Sequence, residues 1–279
     1  HGYGVTPAQP FWQQKALIAL EWMVGRVTTH WIAVSQADRR QGIEWGLFTA
    51  SKVSVVRPGI DPTAFAARIE STERDRLRAM LGVGPDQLLV GTVSCLKPQK
   101  SPEDFVRVAA LVCQRVPAAR CVLVGDGALR PKVEALLLEQ GLQDRVTLLG
   151  WRRDVAALLK AFDVFVLTSQ WEGLPCAILE ARASRIPIVA TRVGGAAEAI
   201  VEGIQGTLCP AGDVRAMAER VCQILEDERF RVDLRTGTQE LPEEFTIQET
   251  LKQYQSLYAY LLHATRPSED VMKLQPNRL

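Results

Sequence analysis

Two carboxylates stand eight positions apart in Glu172-Gly-Leu-Pro-Cys-Ala-Ile-Leu-Glu180, directly after the apolar run DVFVLTS at 163–169. Pro175 suits the first position of a helix, where its missing N–H leaves no bond unmade. Glu172 then lies in a loop, and Glu180 about one and a half turns into the helix. Gly173 lets a ligand approach the backbone closely. The free N–H groups at the helix start, aligned with the helix dipole, form an anion site. One pocket thus offers amides for a phosphate, flanked by two acids that accept hydrogen bonds from hydroxyls. A nucleotide sugar has those parts: diphosphate, ribose and hexose. In isolation, the same spacing equally describes a first-turn glutamate and a solvated helix carboxylate.

Other residues keep that pair company. GTVSCLKPQKSPEDF sets Lys100 in the loop after a strand, where an ammonium can reach a diphosphate as a point charge. The plain alternative is a surface lysine ahead of a helix. Gly125-Asp126-Gly127 follows a second strand but is no GxGxxG fingerprint. Gly150-Trp151-Arg152 follows a third, and either lines a base pocket or is a packed tryptophan beside a surface arginine. Gly194-Gly195 with Glu198 follows a fifth, and reads equally as a turn with a first-turn glutamate. All lie at one end of a single parallel sheet, where ligands of such sheets bind.

That sheet follows from the patterning. From residue 88 onward, continuously apolar runs alternate with helical periodicity: 88–94, 120–125, 145–150, 163–169, 186–191 and 205–210 as strands. Helices are expected at 102–116, 128–140, 153–162, 175–184, 196–203 and 213–228. Strands apolar on both faces, joined by helices of this length, imply a parallel α/β sheet with helices on both sides. We therefore expect a Rossmann-like domain over 60–244.

The first 59 residues contain FWQQKALIALEWMVGRV as an apolar helix, WIAVS and KVSVV as strands, and a helix opened by Ser35 as N-cap. These few elements cannot close a core, so they read as the remnant of a second Rossmann-like domain whose start lies outside the chain. RPGIDP at 57–62 reads as a hinge. At the other end, 245–264 is an amphipathic helix with Leu251, Tyr254, Leu257, Tyr258, Leu261 and Leu262 on one side. The tail 265–279 is expected to be loose.

Composition narrows the field. The chain has 279 residues, 47% hydrophobic and 23% charged. At ~150 residues per domain that is about two domains. The formal net charge of +1 gives no reason to expect a nucleic-acid partner. Cysteines at 95, 113, 121, 176, 209 and 222 form no CxxC pair, which disfavours a zinc site or redox dithiol. Buried reduced thiols fit a cytoplasmic protein. There is no run of eighteen apolar residues and so no expected spanning helix. The 10–26 helix, with Phe11, Trp12 and Trp22, reads either as packed under its own domain or as lying peripherally on the inner membrane face.

The stretches VSQADRR…KVSVVRPGID, GTVSCLKPQK, LVGDGALR, VTLLGWRRDVAALLKAFDVFVLTSQWEGLPCAILEA and PIVATRVGGAAEAI follow one another in an order that resembles the retaining glycosyltransferases of the GT-B fold, family four. The resemblance covers about 1–262. It implies two Rossmann-like domains facing across a cleft, the C-terminal one holding a UDP- or GDP-sugar, and a last helix crossing back to the N-terminal domain. It further implies that Glu180 binds ribose hydroxyls, Glu172 the donor sugar near the reacting carbon, and Gly173, Leu174 and Pro175 the sugar and phosphate. Lys100 would neutralise the leaving diphosphate. His1, in His1-Gly2-Tyr3-Gly4, resembles a loop on the acceptor side, and equally a chance chain start. Where the family often has Gly-Arg-Leu, this chain has Ser94-Cys95-Leu96, so one phosphate contact is missing or is supplied by Lys97.

The implied reaction is transfer of a sugar to a hydroxyl of a glycan or lipid-linked glycan. No cofactor or metal is expected: no D-x-D triplet occurs, and Glu226-Asp227-Glu228 falls at a helix end. Two alternatives stay open: a fragment that binds sugar nucleotide without turnover, and a sugar-nucleotide epimerase of the same fold. A dehydrogenase is disfavoured because no dinucleotide fingerprint follows any strand.

Overall fold

A computed structural model describes all residues except 1, 2, 7, 68, 238, 239 and 265–279. His1 and the expected loose tail lie outside the described residues.

The chain begins with α1 (Phe11–Val27), β1 (Trp31–Ala33), α2 (Gln36–Glu44) and β2 (Val53–Val55). The two strands pair in parallel, as a strand–helix–strand unit must. Ala33, Leu47, Phe48 and Val53 form a small core beneath them. No residue of helix α1 is fully buried: Ile18 packs against this small core, while Phe11, Trp12 and Val27 stand 73%, 72% and 85% exposed.

After the hinge come α3 (Thr63–Ala66), α4 (Ser71–Met80), β3 (Leu88–Val93), α5 (Pro102–Arg115), β4 (Ala119–Val124), α6 (Arg130–Glu139) and β5 (Val146–Gly150). The chain continues through α7 (Val155–Ala161), β6 (Val164–Leu167), α8 (Cys176–Ala183), β7 (Ile188–Thr191) and α9 (Ala196–Ala199). It ends with β8 (Gly206–Cys209), α10 (Val214–Glu226), α11 (Glu228–Gly237) and α12 (Ile247–Ala264). All six strands expected from residue 88 onward are present. Helices α3, α4 and α11 were not anticipated, and α9 stops four residues short of its expected end.

The large sheet is wholly parallel, in the order β5-β4-β3-β6-β7-β8. Its strands feed two helix layers by simple alternation. Val90, Leu123 and Val166 join one core with Phe105 of α5 and Val221 of α10. Leu89, Val122 and Phe165 join the other with Leu159 of α7 and Ile178 of α8. From β3 the chain winds outward to β5, then returns to β6 on the other side of β3. The connections leaving β3 and β6 therefore diverge, which opens a crevice beyond their carboxyl ends.

The hinge is pinned from outside. Ile60 pairs with Thr246, its N–H donating to the Phe245 carbonyl at 3.0 Å while Ile247 N–H donates back at 2.9 Å. Gly59 allows this crossing, since a Cβ there would stand 2.2 Å from the Thr246 carbonyl carbon. Thr250 on α12 donates to the Arg57 carbonyl at 2.8 Å. Helix α12 thus returns alongside the end of β2. Its expected apolar side is covered in part: Tyr254, Leu257 and Leu261 are half-buried, whereas Leu251, Tyr258 and Leu262 are exposed.

Candidate functional site

Because β3 and β6 are neighbours, the loops that leave them face each other across the crevice. The β3 loop ends in a short 3-10 turn, Pro98–Lys100, before α5. The β6 loop carries Gln170, Trp171, Glu172 and Gly173 into α8. A dense set of bonds fastens the two. Thr168, at the end of β6, donates to the carbonyls of Lys100 and Ser101, each at 3.0 Å. Gln170 N–H donates to the Gln99 carbonyl at 2.8 Å, and Gln99 Nε2 to the Trp171 carbonyl at 2.9 Å.

At the centre, the Lys100 ammonium is ion-paired with Glu172 Oε1. Ser169 Oγ donates to that same oxygen at 2.6 Å, and Gln99 Nε2 approaches Oε2 at 3.3 Å. The pair is well shielded, with side-chain exposures of 17% and 6%. The β7 loop closes over it from the far side. Gly195 N–H donates to the Gly173 carbonyl at 2.6 Å. Gly194 lies so close that a Cβ would stand 1.8 Å from the Glu172 carbonyl oxygen.

Helix α8 starts here. Pro175 is its N-cap and Cys176 its first residue, one position later than expected, and no side chain caps the amides at its start. Those donors are free for an anion. The carboxylate of Glu180, one turn further, has no hydrogen-bond partner among the described residues, and burial pushes it up to about 7. The Cys176 thiol is raised by burial, then by Glu180, and lowered by Lys100, so it sits within reach of both charges.

A cavity of about 740 Å³ opens between the two sheets. Gln99, Glu172, Gly173 and Gly194 line it from one side, and Tyr3, Asp38 and Trp45 from the other. Asp38 Oδ2 is buried without a partner, and burial raises its carboxyl to about 6 against the pull of Ser35. A further link ties the halves together. Glu198, on α9, accepts from the amides of Gln36 and Ala37 at 3.1 and 2.9 Å and from Arg57 at 2.8 Å. A carboxylate from the large sheet thereby caps α2 of the small one, alongside the expected Ser35 cap on the Asp38 amide at 3.0 Å.

The sequence-derived site residues divide. Lys100, Glu172, Gly173, Leu174, Pro175 and Glu180 all belong to the β6–α8 junction, and of these Glu172 and Gly173 line the cavity. Five other expected donor contacts are not brought to this cavity. Lys97 is exposed. Trp151, beyond the outermost strand β5, is 70% exposed, and Arg152 is paired with Asp154 at 2.5 Å. Gly125 and Gly127 serve a close crossing, since a Cβ on either would meet the carbonyl of Ser94 or Leu96 at 2.0 or 2.6 Å. Gln99, Ser169 and Asp38 were not expected as site residues; the places of Gln99 and Ser169 in loops after strands, and of Asp38 in the first turn of α2, were the available signal, and Glu198, expected beside Gly194-Gly195, joins the two halves. Among the described residues no three His, Cys, Asp or Glu side chains converge as a metal-binding group, and no helix is long and apolar enough to cross a membrane.

The family described as "Glycosyl transferases group 1" matches residues 73–241, from α4 through α11 and the whole large sheet. The chain belongs to this family. As a group 1 glycosyl transferase it is 28% identical over 242 residues to the UDP-Gal:alpha-D-GlcNAc-diphosphoundecaprenol alpha-1,3-galactosyltransferase of Escherichia coli, covering 86% of this chain and 62% of that protein. It is 31% identical over 235 residues to the D-inositol 3-phosphate glycosyltransferase of Corynebacterium urealyticum, covering 81% and 55%. The chain thus spans between about half and two thirds of these curated relatives. Among solved structures, Anabaena Alr3699/HepE in complex with UDP-glucose superposes with a TM-score of 0.79 at 25% identity, covering 91% of this chain and 70% of that one. The fold is GT-B, with one complete Rossmann-like sheet and part of a second.

Proposed function

We propose that this chain carries the donor half of a retaining glycosyltransferase, which moves a sugar from a nucleoside diphosphate to a hydroxyl of a glycan or lipid-linked glycan. The observation that carries the reading is the β6–α8 junction: a shielded Lys100–Glu172 pair beside uncapped helix amides, with the unpartnered carboxylate of Glu180 behind them. The amides and Lys100 take the diphosphate, Glu180 the ribose hydroxyls, and Glu172, held by Ser169 and Gln99, the donor sugar. UDP is the preferred nucleotide, because the Escherichia coli relative is named for UDP-Gal and the Anabaena neighbour holds UDP-glucose.

In the reaction the bond between the anomeric carbon and the diphosphate oxygen breaks, and the acceptor oxygen bonds to that carbon on the same face. The acceptor proton passes to the departing diphosphate. Lys100 and the α8 amides stabilise the charge that develops there, in a site already organised before the donor arrives. The charge comes from the chain's own groups, without a cofactor. Asp38 and Tyr3, across the cavity, face the side from which an acceptor enters.

Calorimetry with UDP- and GDP-sugars, followed by a turnover assay with hydroxyl acceptors, tests the proposal. Binding of a UDP-sugar with transfer supports it, and absence of binding to every sugar nucleotide overturns it. Binding without transfer supports the second reading, a donor-binding module, which the confinement of every proposed donor contact to the large-sheet half favours.

A further inference from the structure

At the opposite, amino-terminal edge of the large sheet lies a second cavity, of about 400 Å³. Its lining is cationic: Arg74, Lys160, Arg185 and Arg235 contribute to it, and no lining residue is acidic. The nearest carboxylate, Asp163, is already engaged by Arg74 at 2.8 Å, Arg78 at 2.9 Å and Arg235 at 3.3 Å, and by the Leu89 amide at 2.8 Å. Lys160 bonds only a carbonyl, that of Ala64 at 3.0 Å. Among the described lining residues there are four cations and no acid.

Ser184 and Arg235 line the cavity, while Ser184 Oγ and Arg235 Nε themselves are buried beneath its surface without a protein partner among the described residues. Arg235 is held in place through its other nitrogen, which donates to the Phe162 carbonyl at 2.9 Å. Arg185 adopts φ +56°, a conformation that favours glycine, at the point where α8 ends and Ile186 N–H turns back to Ala181. The remaining walls are apolar, from Phe65, Ile69, Phe162 and Ile186.

We propose that this cavity binds a phosphomonoester of a small organic molecule. A tetrahedral dianion matches cationic donors arriving from four separate side chains, Arg74, Lys160, Arg185 and Arg235, better than a planar carboxylate, which two donors would saturate. The apolar walls take the carbon skeleton. The site is separate from the sugar-nucleotide crevice: α8 begins at one and ends at the other, so the two lie at opposite edges of the sheet.

The test is calorimetric titration of the purified chain with inorganic phosphate, phenyl phosphate and benzoate, in the presence of saturating UDP to block the crevice. Phenyl phosphate is expected to bind, at least about tenfold more tightly than inorganic phosphate or benzoate. The Lys160→Ala/Arg185→Ala double variant, whose two side chains are not engaged by Asp163, is expected to lose about tenfold or more of that affinity while keeping its thermal midpoint and UDP affinity. Lys100→Ala is expected to leave phenyl phosphate binding unchanged. The proposal is overturned if phenyl phosphate does not bind, if UDP or Lys100→Ala abolishes its binding, if benzoate binds equally well, or if the double variant binds it as well as the natural chain.

Discussion

Lys100 and Glu172, separated by 72 positions in the chain, form a shielded ion pair because the strands that precede them are hydrogen-bonded neighbours. Nothing local to either residue brings them together. The pairing is a product of strand order, in which β3 and β6 lie side by side and the loops that leave them are bonded to each other. An ammonium already facing a carboxylate can be shared with an arriving diphosphate without rebuilding the site.

Removing one member of such a pair leaves the other charge buried. Lys100→Met is therefore expected to lower stability by about 3 kcal/mol, since a stranded buried charge typically costs that much. Glu172→Gln should cost less, about 1–2 kcal/mol, because the amide oxygen can still accept from Ser169 Oγ and Lys100, although its NH2 then faces the donor Gln99 Nε2. Urea denaturation measures both. UDP-glucose affinity should fall at least about tenfold in Lys100→Met, the loss of one charge-assisted hydrogen bond. Equal stability in the two variants would contradict the shielded pairing.

Glu180 makes stability and binding respond to pH in opposite directions. Its carboxyl is raised by burial from 4.5 in the unfolded chain to about 7 in the fold. The fold thus favours the protonated form. That contribution is fully present below the unfolded value and is lost as pH rises through about 7. Glu180→Gln should consequently stabilise the ligand-free protein by about 1–3 kcal/mol at alkaline pH relative to acid pH, allowing for partial solvation. Ribose hydroxyls instead donate to the ionised form, so UDP-glucose should bind more tightly as pH rises toward 8. Thermal melts and calorimetry across that range check both slopes, and the variant should flatten each.

Glu198 holds the two sheets in register through the Gln36 and Ala37 amides and Arg57. Glu198→Ala strands two helix-start amides and leaves the half-buried Arg57 guanidinium with its 3.3 Å pairing to Glu244 alone among the carboxylates. A loss of about 2 kcal/mol is expected, typical of buried groups left unbonded. Protease cleavage in the 57–62 hinge should rise, and UDP-glucose affinity should change little, because Glu198 lies outside the proposed donor contacts. A variant with unaltered hinge protection would show that Ile60, Thr246 and α12 suffice to pin the halves.

These features differ in how visible they are in the sequence. The six strands of the large sheet are legible because strands buried on both faces read as continuous apolar runs, and the β6–α8 acids because they flank a proline and a glycine. Helix α4, with SerThrGluArgAspArgLeuArgAlaMet, carries so few apolar residues that periodicity barely marks it; it is fixed instead by Arg74 and Arg78 reaching Asp163. Helix α9 ends early because the Gln205 side chain accepts the Val201 amide at 2.6 Å and Gly203 turns at φ +80°. Trp151 stands away from the cavity for a topological reason: nearness to the carboxyl edge does not suffice, because β5 is an edge strand three positions from β6 and the crevice forms where the order reverses.

Glycine at 194 separates backbone strain from site geometry, and a matched pair of variants can tell them apart. Gly194 and Gly203 both adopt positive φ, +48° and +80°. Alanine at either should cost roughly 1 kcal/mol from the backbone alone. At Gly203 nothing lies within 4 Å of the added carbon, so Gly203→Ala should stop there. At Gly194 the carbon would fall 1.8 Å from the Glu172 carbonyl oxygen, and backbone cannot move aside as a side chain can. The 172–174 loop must shift, carrying Glu172 away from Lys100 and the Gly173 carbonyl away from Gly195. Gly194→Ala is therefore expected to retain the folded sheet, by circular dichroism, while losing about tenfold or more of its UDP-glucose affinity, with Gly203→Ala binding as the natural chain does. Equal affinity in both variants would mean that the β6–α8 loop does not need the β7 loop to hold its shape.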